Sequence, residues 1–293
     1  MKPNGGWNNQ VNVGQYIWDI VNPNPDRWLE GLRLVHHLMQ THANDAELLK
    51  RDLRTLGSMY HNLMEDYPRA AWFWRNAGAN HEGVADCYWK MGCKEMAVEL
   101  LKQLGNDDTR HGTIIKLWAD MGELDTALRL AEAKAKDGRP EVAYLAAGEA
   151  CRKAGQFKRA LDFFQRVLAV QQNDTQTRQN DFKQTYERAK ASIEAIQVYE
   201  MLDLAKVRDG TYSSDSYGYS GQVFVDVTVQ RGKITDVKVP RHTERQFYGA
   251  LDNTTKQILD KQSVKDIDTF SSATITSEAI VNAAAKALAS GMK

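Results

Sequence analysis

The stretch QVFVDVTVQRGKITDVKV, residues 222–239, decides the fold class of the C-terminal part of the chain. Along residues 222–230, valines alternate with other residues at the two-residue period of a half-buried strand. The apolar positions on the two predicted strands are Val223, Val225, Val227, Val229, Ile234, Val237 and Val239. Arg231, Gly232 and Lys233 form the predicted turn between them. The stretch therefore predicts a β-hairpin.

Two helices are predicted to follow the hairpin. Residues 246–260 have helical character, and residues 277–290 form an Ala-rich helix that needs a closely packed site. Before the hairpin, residues 209–212 and 217–221 are rich in residues that favour turns. The order of strands, helix, loop and helix is typical of an α+β domain, which we place at residues 201–293.

Residues 26–200 are predicted to be helical throughout, with breaks that recur at Gly92, Gly122 and Gly155. The distances in sequence between successive glycines of this set are close to the ~34-residue period of tetratricopeptide repeats. The clearest unit carries small and aromatic residues in step with that repeat: Tyr144, Gly148, Cys151, Gly155, Phe157, Ala160 and Phe164. We therefore expect an all-α tetratricopeptide-like solenoid that serves as a protein-interaction scaffold. Residues 1–25, rich in Gly, Asn and Pro, are predicted to form an N-terminal arm.

Composition argues against several classes of partner. Lys plus Arg and Asp plus Glu both number 38, so the formal charge is +0, and no cluster of basic residues favours nucleic acid or anionic lipid. The three cysteines cannot form a complete disulfide framework and lack zinc-ligand spacing, so no metal site is predicted. No apolar run approaches the ~20 residues that a membrane span requires.

The segment DTFSSATITS, residues 268–277, concentrates hydroxyl side chains just before the last predicted helix. Taken alone, it is a Ser/Thr-rich loop in which Thr276 or Ser277 caps the helix. The sequence around this segment favours a functional role for it. The region from Asp209 to Leu288 resembles the FMN-binding domain found in subunits of sodium-pumping and electron-bifurcating respiratory complexes and in flavinylated extracytoplasmic proteins. The resemblance rests on residues 209–212, 218–221, 232–237, 242–244 and 268–274.

The resemblance implies a covalent cofactor. In that family the last Thr of the loop, here Thr274, is esterified to the phosphate of FMN by a dedicated flavin transferase. The other loop positions that match are Asp268, Ser271, Ser272 and Ala273, with Ser272 where the family usually has Gly. Because Thr274 accepts the flavin and catalyses nothing, we expect it on an exposed loop, with the phosphate beside the helix start at Ser277.

Further residues are candidates for contact with the flavin ring. The resemblance places His242 and Glu244 near it, and the alternative is an exposed polar loop. Tyr212, Tyr217 and Tyr219 have faces that suit a flat ring, although tyrosines are also frequent in Gly-rich turns without a ligand.

A tethered flavin without a nicotinamide-binding G-x-G-x-x-G motif or a catalytic triad favours an electron carrier over an enzyme with its own substrate. A flavin transferase and an unidentified redox protein are the expected partners. Three alternatives stay open: a scaffold with a non-covalent or vestigial flavin site, an oxidoreductase with a small substrate, and a redox sensor. The resemblance also implies an extracytoplasmic location, if an export signal has been trimmed, with a cytoplasmic one as the alternative.

Overall fold

The structure is a computed structural model, which describes residues 8, 10, 12–104, 112–136, 138–171, 176–199, 201–244, 249–265, 267–269 and 273–292. The chain divides into two compact units, Met1–Gly105 and Asn106–Lys293. The predicted boundary near residue 200 lies inside the second unit, and the three predicted domains stay a prediction.

The first unit is helical. Its helices are α1 (Val13–Tyr16), a π-helical turn (Ile17–Val21), a 3-10 turn (Pro25–Arg27), α2 (Trp28–Thr41), α3 (Ala46–Asn62), α4 (Tyr67–Asn76), α5 (Glu82–Lys90) and α6 (Lys94–Leu104). Part of the predicted irregular arm is thus helical, because the buried side chains of Ile17 and Val21 anchor it.

The described residues of the second unit begin with five further helices: α7 (Thr113–Asp120), α8 (Leu124–Lys134), α9 (Pro140–Lys153), α10 (Phe157–Ala169) and α11 (Gln176–Tyr199). The predicted breaks are confirmed, since Gly122 and Gly155 follow α7 and α9 with φ of 84° and 70°. Gly148 also has the expected role: a Cβ there would lie 2.5 Å from the ring of Phe164, so α9 and α10 pack closely. Their kinship with tetratricopeptide repeats stays a prediction.

The predicted hairpin is confirmed and belongs to a three-stranded antiparallel sheet of order β1-β2-β3. The strands are β1 (Gly210–Tyr217), β2 (Gln222–Gln230) and β3 (Lys233–His242). Arg231 and Gly232 both have positive φ, as a two-residue hairpin turn requires, and the four valines of β2 are fully buried. The prediction of turns around residues 209–212 was wrong, because the polar β1 pairs with β2 over its whole length.

Two helices complete the second unit, α12 (Ala250–Lys261) and α13 (Thr274–Ser290). α13 packs against β1, β2, α11 and α12, and twelve of its 17 residues are buried, so it is a central helix covered on nearly all sides. It begins at Thr274, three residues before the predicted start. The chain has the predicted α+β fold class, with the sheet near its C-terminus.

Candidate functional site

Two segments of the resemblance and the first turn of α13 meet at the carboxylate of Glu244. This side chain follows β3 and is 6% exposed. Its Oε1 accepts a hydrogen bond from the backbone N–H of Ser220, at 2.9 Å, in the turn between β1 and β2. Its Oε2 accepts one from Oγ1 of Thr276, at 2.5 Å, in the first turn of α13. Glu244 therefore fixes the start of α13 against one end of the sheet, and is no exposed loop residue.

The turn at residues 218–221 is shaped by two glycines. A Cβ on Gly218 would lie 2.5 Å from Oε1 of Glu244, so a larger residue would displace the carboxylate. Gly221 has φ of 151°, and a Cβ there would collide with the hydroxyl of Thr243. The Gly residues thus leave room for Glu244 and Thr243 beside the turn.

Thr274 is the first residue of α13 and is half-buried, whereas an exposed loop position was expected. The predicted capping role of Thr276 or Ser277 was wrong: the cap residue is Ala273, whose side chain has no hydrogen-bond acceptor. Thr276 donates to Glu244 instead, and Ser277 is a fully buried residue of the first turn, with its N–H bonded to the carbonyl of Ala273 at 3.0 Å.

This helix start has the donors that a phosphate group requires. The first backbone N–H groups of a helix have no partner within the helix, and its dipole favours an anion there. A side-chain cap would compete for these groups, but Ala273 cannot supply one. The hydroxyl of Thr274 lies at the same place. The residues present therefore fit the phosphate of FMN.

Hydrogen bonds to α12 fix the beginning of the loop that precedes α13. The N–H and the carbonyl of Asp268 each form a 3.0 Å hydrogen bond with the side-chain amide of Gln257 in α12. The Asp268 carboxylate is exposed and lies 3.5 Å from Nζ of Lys153, at the end of α9, which also pairs with Asp120 at 2.7 Å. Burial lowers the pKa of Lys153, but the two carboxylates outweigh it and leave that pKa raised. Ser271 and Ser272 lie outside the described residues.

The remaining candidates differ in their position. Tyr219, in the turn beside Glu244, is 46% exposed, and its carbonyl accepts a hydrogen bond from the side chain of Gln184 in α11. His242 is half-buried at the end of β3, opposite Val223. Tyr212 lies against Gly291, just past the other end of α13, which is ~25 Å from Thr274 at the helical rise. Tyr212 therefore lies at the opposite end of α13 from Thr274.

A buried ionic cluster, formed by Lys116, Glu149, Arg152, Arg188 and Glu278, joins α7, α9, α11 and α13. Arg188 lies 2.5 Å from Glu149 and 2.9 Å from Glu278. Lys116 contacts Glu149 and lies 3.7 Å from Glu278, and Arg152 lies 3.8 Å from Glu278. All five side chains are at most 20% exposed.

The two carboxylates of this cluster differ in their pKa. Burial raises the pKa of Glu149, and repulsion by Glu278 raises it further. Burial would also raise the pKa of Glu278, but Lys116, Arg188 and Arg152 together lower it to about 2. All three cations lie within 4 Å of Glu278, whereas the ion pairs of Glu149 are with Lys116 and Arg188, so Glu278 holds its negative charge more strongly.

This cluster was not predicted from the sequence, and neither were the contacts of Gln184 with Tyr219 and of Lys153 with Asp268. A signal was present, because Glu149 and Glu278 stand alone within Ala-rich, otherwise apolar helical segments, where a charge requires a partner. The partners lie 33 or more residues away in sequence, so no local pattern identifies them. Among the described residues, no group of His, Cys, Asp and Glu suits a metal ion, and no helix has the length and apolar character of a membrane span.

Comparison with known proteins identifies a domain in the C-terminal part of the chain. The family model of the FMN-binding domain matches residues 218–289, which confirms the resemblance. An uncharacterized protein of Treponema pallidum (strain Nichols) is 36% identical over 86 residues, which are 29% of this chain and 24% of that protein. The matched part thus spans about a quarter of that relative's length. No solved structure matches the chain. Residues 218–289 thus belong to the FMN-binding domain family, which supports flavin binding by this part of the chain.

Proposed function

We propose that this protein is an electron carrier whose FMN is attached to Thr274 through a phosphoester bond. The observation that carries the proposal is the position of Thr274, the first residue of α13, beside a helix start whose cap residue is Ala273. The helix dipole favours the negative charge that the phosphodiester retains, by roughly 0.3–1 kcal/mol at an exposed end. This is too little to retain a flavin, so retention comes from the ester bond.

A dedicated transferase has to form that bond, because a threonine hydroxyl is too weakly acidic to attack a phosphate unaided. Oγ1 of Thr274 bonds to the phosphorus while a phosphoanhydride bond of an activated flavin nucleotide breaks. The oxygen of the broken bond leaves on the nucleotide monophosphate, the hydroxyl proton passes to that group or to the solvent, and no electron is transferred. Glu244 and Thr276 hold the start of α13 during this step, and Tyr219, an exposed aromatic side chain in the turn beside Glu244, flanks the ring in this proposal.

Bound FMN supplies one- or two-electron transfer. The partners would be a flavin transferase during maturation and a redox protein that docks on the helical part. Consistent with the family, we place the protein outside the cytoplasm.

The proposal is tested by intact mass after co-expression with a flavin transferase and magnesium. We expect the wild-type chain to gain the mass of FMN less one water, and Thr274→Ala to gain nothing. Thr269→Ala, which removes another hydroxyl from the same loop, is the matched control and should be modified fully. Absence of the gain in the wild type, with the transferase active on another acceptor, would refute the covalent attachment.

A further inference from the structure

One face of α13 connects Thr274 with the buried ionic cluster. Residues four apart on a helix share a face, with Cβ atoms about 5–6 Å apart, so Thr274, Glu278 and Asn282 form one row. Glu278 lies within 4 Å of Lys116, Arg152 and Arg188. The row that begins at the proposed flavin acceptor therefore reaches three cations from α7, α9 and α11 one turn further along, at Glu278.

The cluster has one more cation than carboxylate. Lys116 and Arg188 each lie near both Glu149 and Glu278, whereas Arg152 has the longest ion-pair distance, 3.8 Å to Glu278. The close hydrogen bond of Arg152 goes to the neutral amide oxygen of Asn282, at 2.9 Å. Because an uncompensated charge is costly in a buried place, the surplus charge favours an anion nearby.

We propose that the cluster is the counter-charge for the phosphate on Thr274, with Arg152 contributing the surplus positive charge. This inference rests on the proposed function, because the phosphodiester supplies the one negative charge that the cluster lacks. Arg152 is a positioning residue: it acts through the electrostatic environment of the helix start and touches no reacting atom. The helical part of the second unit is then a component of the flavin site, beyond any role in docking partners.

The consequence is that flavin attachment stabilises the fold through the cluster. Unflavinylated protein keeps a buried surplus charge, and flavinylated protein has it neutralised. This stabilisation is tested with four chains: the wild type, Arg152→Met, Arg152→Lys and Arg166→Met. Arg152→Lys keeps the positive charge, and Arg152→Met removes it. Arg166→Met is a matched control, since Arg166 pairs with the half-exposed Glu132 at 2.6 Å, outside the cluster.

The measurement is the melting temperature of each chain with and without its flavin, with flavinylation verified by intact mass. We expect attachment to raise the wild-type value, and expect about 2–4 °C of that rise to be lost in Arg152→Met. Arg152→Lys and Arg166→Met should keep the wild-type rise. An equal rise in all four chains, with full flavinylation in each, overturns the inference and leaves the proposed function intact.

A second arm separates the two proposals. The unflavinylated chains are melted in inorganic phosphate and in chloride at equal ionic strength. In one outcome, the wild type accepts no flavin, but phosphate raises its melting temperature more than that of Arg152→Met. The proposed function then fails, and the cluster is confirmed as an anion site. If phosphate stabilises both chains equally and no flavin is attached, both proposals fail.

Discussion

Replacement of Glu278 by Gln tests how the second unit is held together. Gln keeps the shape of the side chain and removes its charge. The carboxylate is 7% exposed and lies among Lys116, Arg152 and Arg188, so its loss leaves three buried cations with Glu149 as their remaining carboxylate in the cluster. The expected result is a lower free energy of unfolding.

The magnitude follows from the pKa of Glu278. Burial raises it, but the three cations lower it from the model-compound value of 4.5 to about 2. One pKa unit corresponds to about 1.4 kcal/mol, so the ionised group contributes on the order of 3 kcal/mol at neutral pH. Breaking a buried ion pair costs about 3–5 kcal/mol, which agrees. We therefore expect Glu278→Gln to lose about 3 kcal/mol.

Glu149→Gln is the matched comparison, because it removes the other carboxylate of the same cluster. The pKa of Glu149 is raised, by burial and then by repulsion from Glu278, so its ionised form is less favourable in the folded state than that of Glu278. We therefore expect a clearly smaller loss than for Glu278→Gln.

The pH dependence has opposite signs at the two positions. The stability that Glu278 contributes is fully present above its unfolded pKa of 4.5 and is lost as the pH falls towards about 2. The raised pKa of Glu149 contributes stability below 4.5 that is lost as the pH rises through its folded pKa. Acid destabilisation should thus be weaker in Glu278→Gln and stronger in Glu149→Gln than in the wild type.

The assay is urea denaturation of the unflavinylated proteins, at neutral pH and through the acid range, followed by circular dichroism. The reasoning fails if Glu149→Gln loses as much stability as Glu278→Gln. It also fails if Glu278→Gln has the wild-type midpoint at neutral pH, because the carboxylate would then contribute nothing that a neutral amide does not.

Two other predictions concern the flavin domain. Thr276→Val leaves the buried carboxylate of Glu244 with its hydrogen bond from Ser220 but without its hydroxyl donor. Urea denaturation should therefore show that the free energy of unfolding falls by about 1.5–3 kcal/mol. Thr276→Ser keeps a hydroxyl and should lose much less, and equal losses in the two variants would contradict the prediction. A chain of residues 201–293 alone exposes the side of α13 that packs on α11. We therefore expect it to lack the cooperative thermal transition of the full chain. A cooperative transition would show that the predicted domain folds by itself.

The features that the sequence predicted were those with a local pattern. Alternating valines identified β2, and recurrent glycines identified the ends of α7 and α9, because burial on one face and a positive φ each restrict residue types at fixed spacing. β1 lacks such a pattern: its residues are mostly polar, and pairing with β2 makes it a strand. The α+β fold class could therefore be predicted without the full sheet.

The start of α13 shows why a site is harder to predict than an element. Thr276 and Ser277 have the residue types of helix caps, but tertiary contacts use them otherwise: Thr276 donates to Glu244, and Ser277 is fully buried. The resemblance identified Glu244 as a site residue without showing that it links sheet and helix. The cluster around Glu278 involves helices that no local pattern brings together.

The polar residues of α13 solve a problem that its composition creates. An Ala-rich helix lets its neighbours approach closely, but its smooth surface distinguishes poorly between rotations about its axis or shifts along it. Three of its four buried polar positions bond to side chains of other elements: Thr276 to Glu244 on the sheet side, and Glu278 and Asn282 to Arg188 and Arg152 on the helical side. A rotation or a shift by one residue would break all three contacts and leave buried charges unpaired. The polar contacts therefore set the register of α13, and with it the place at which Thr274 is presented.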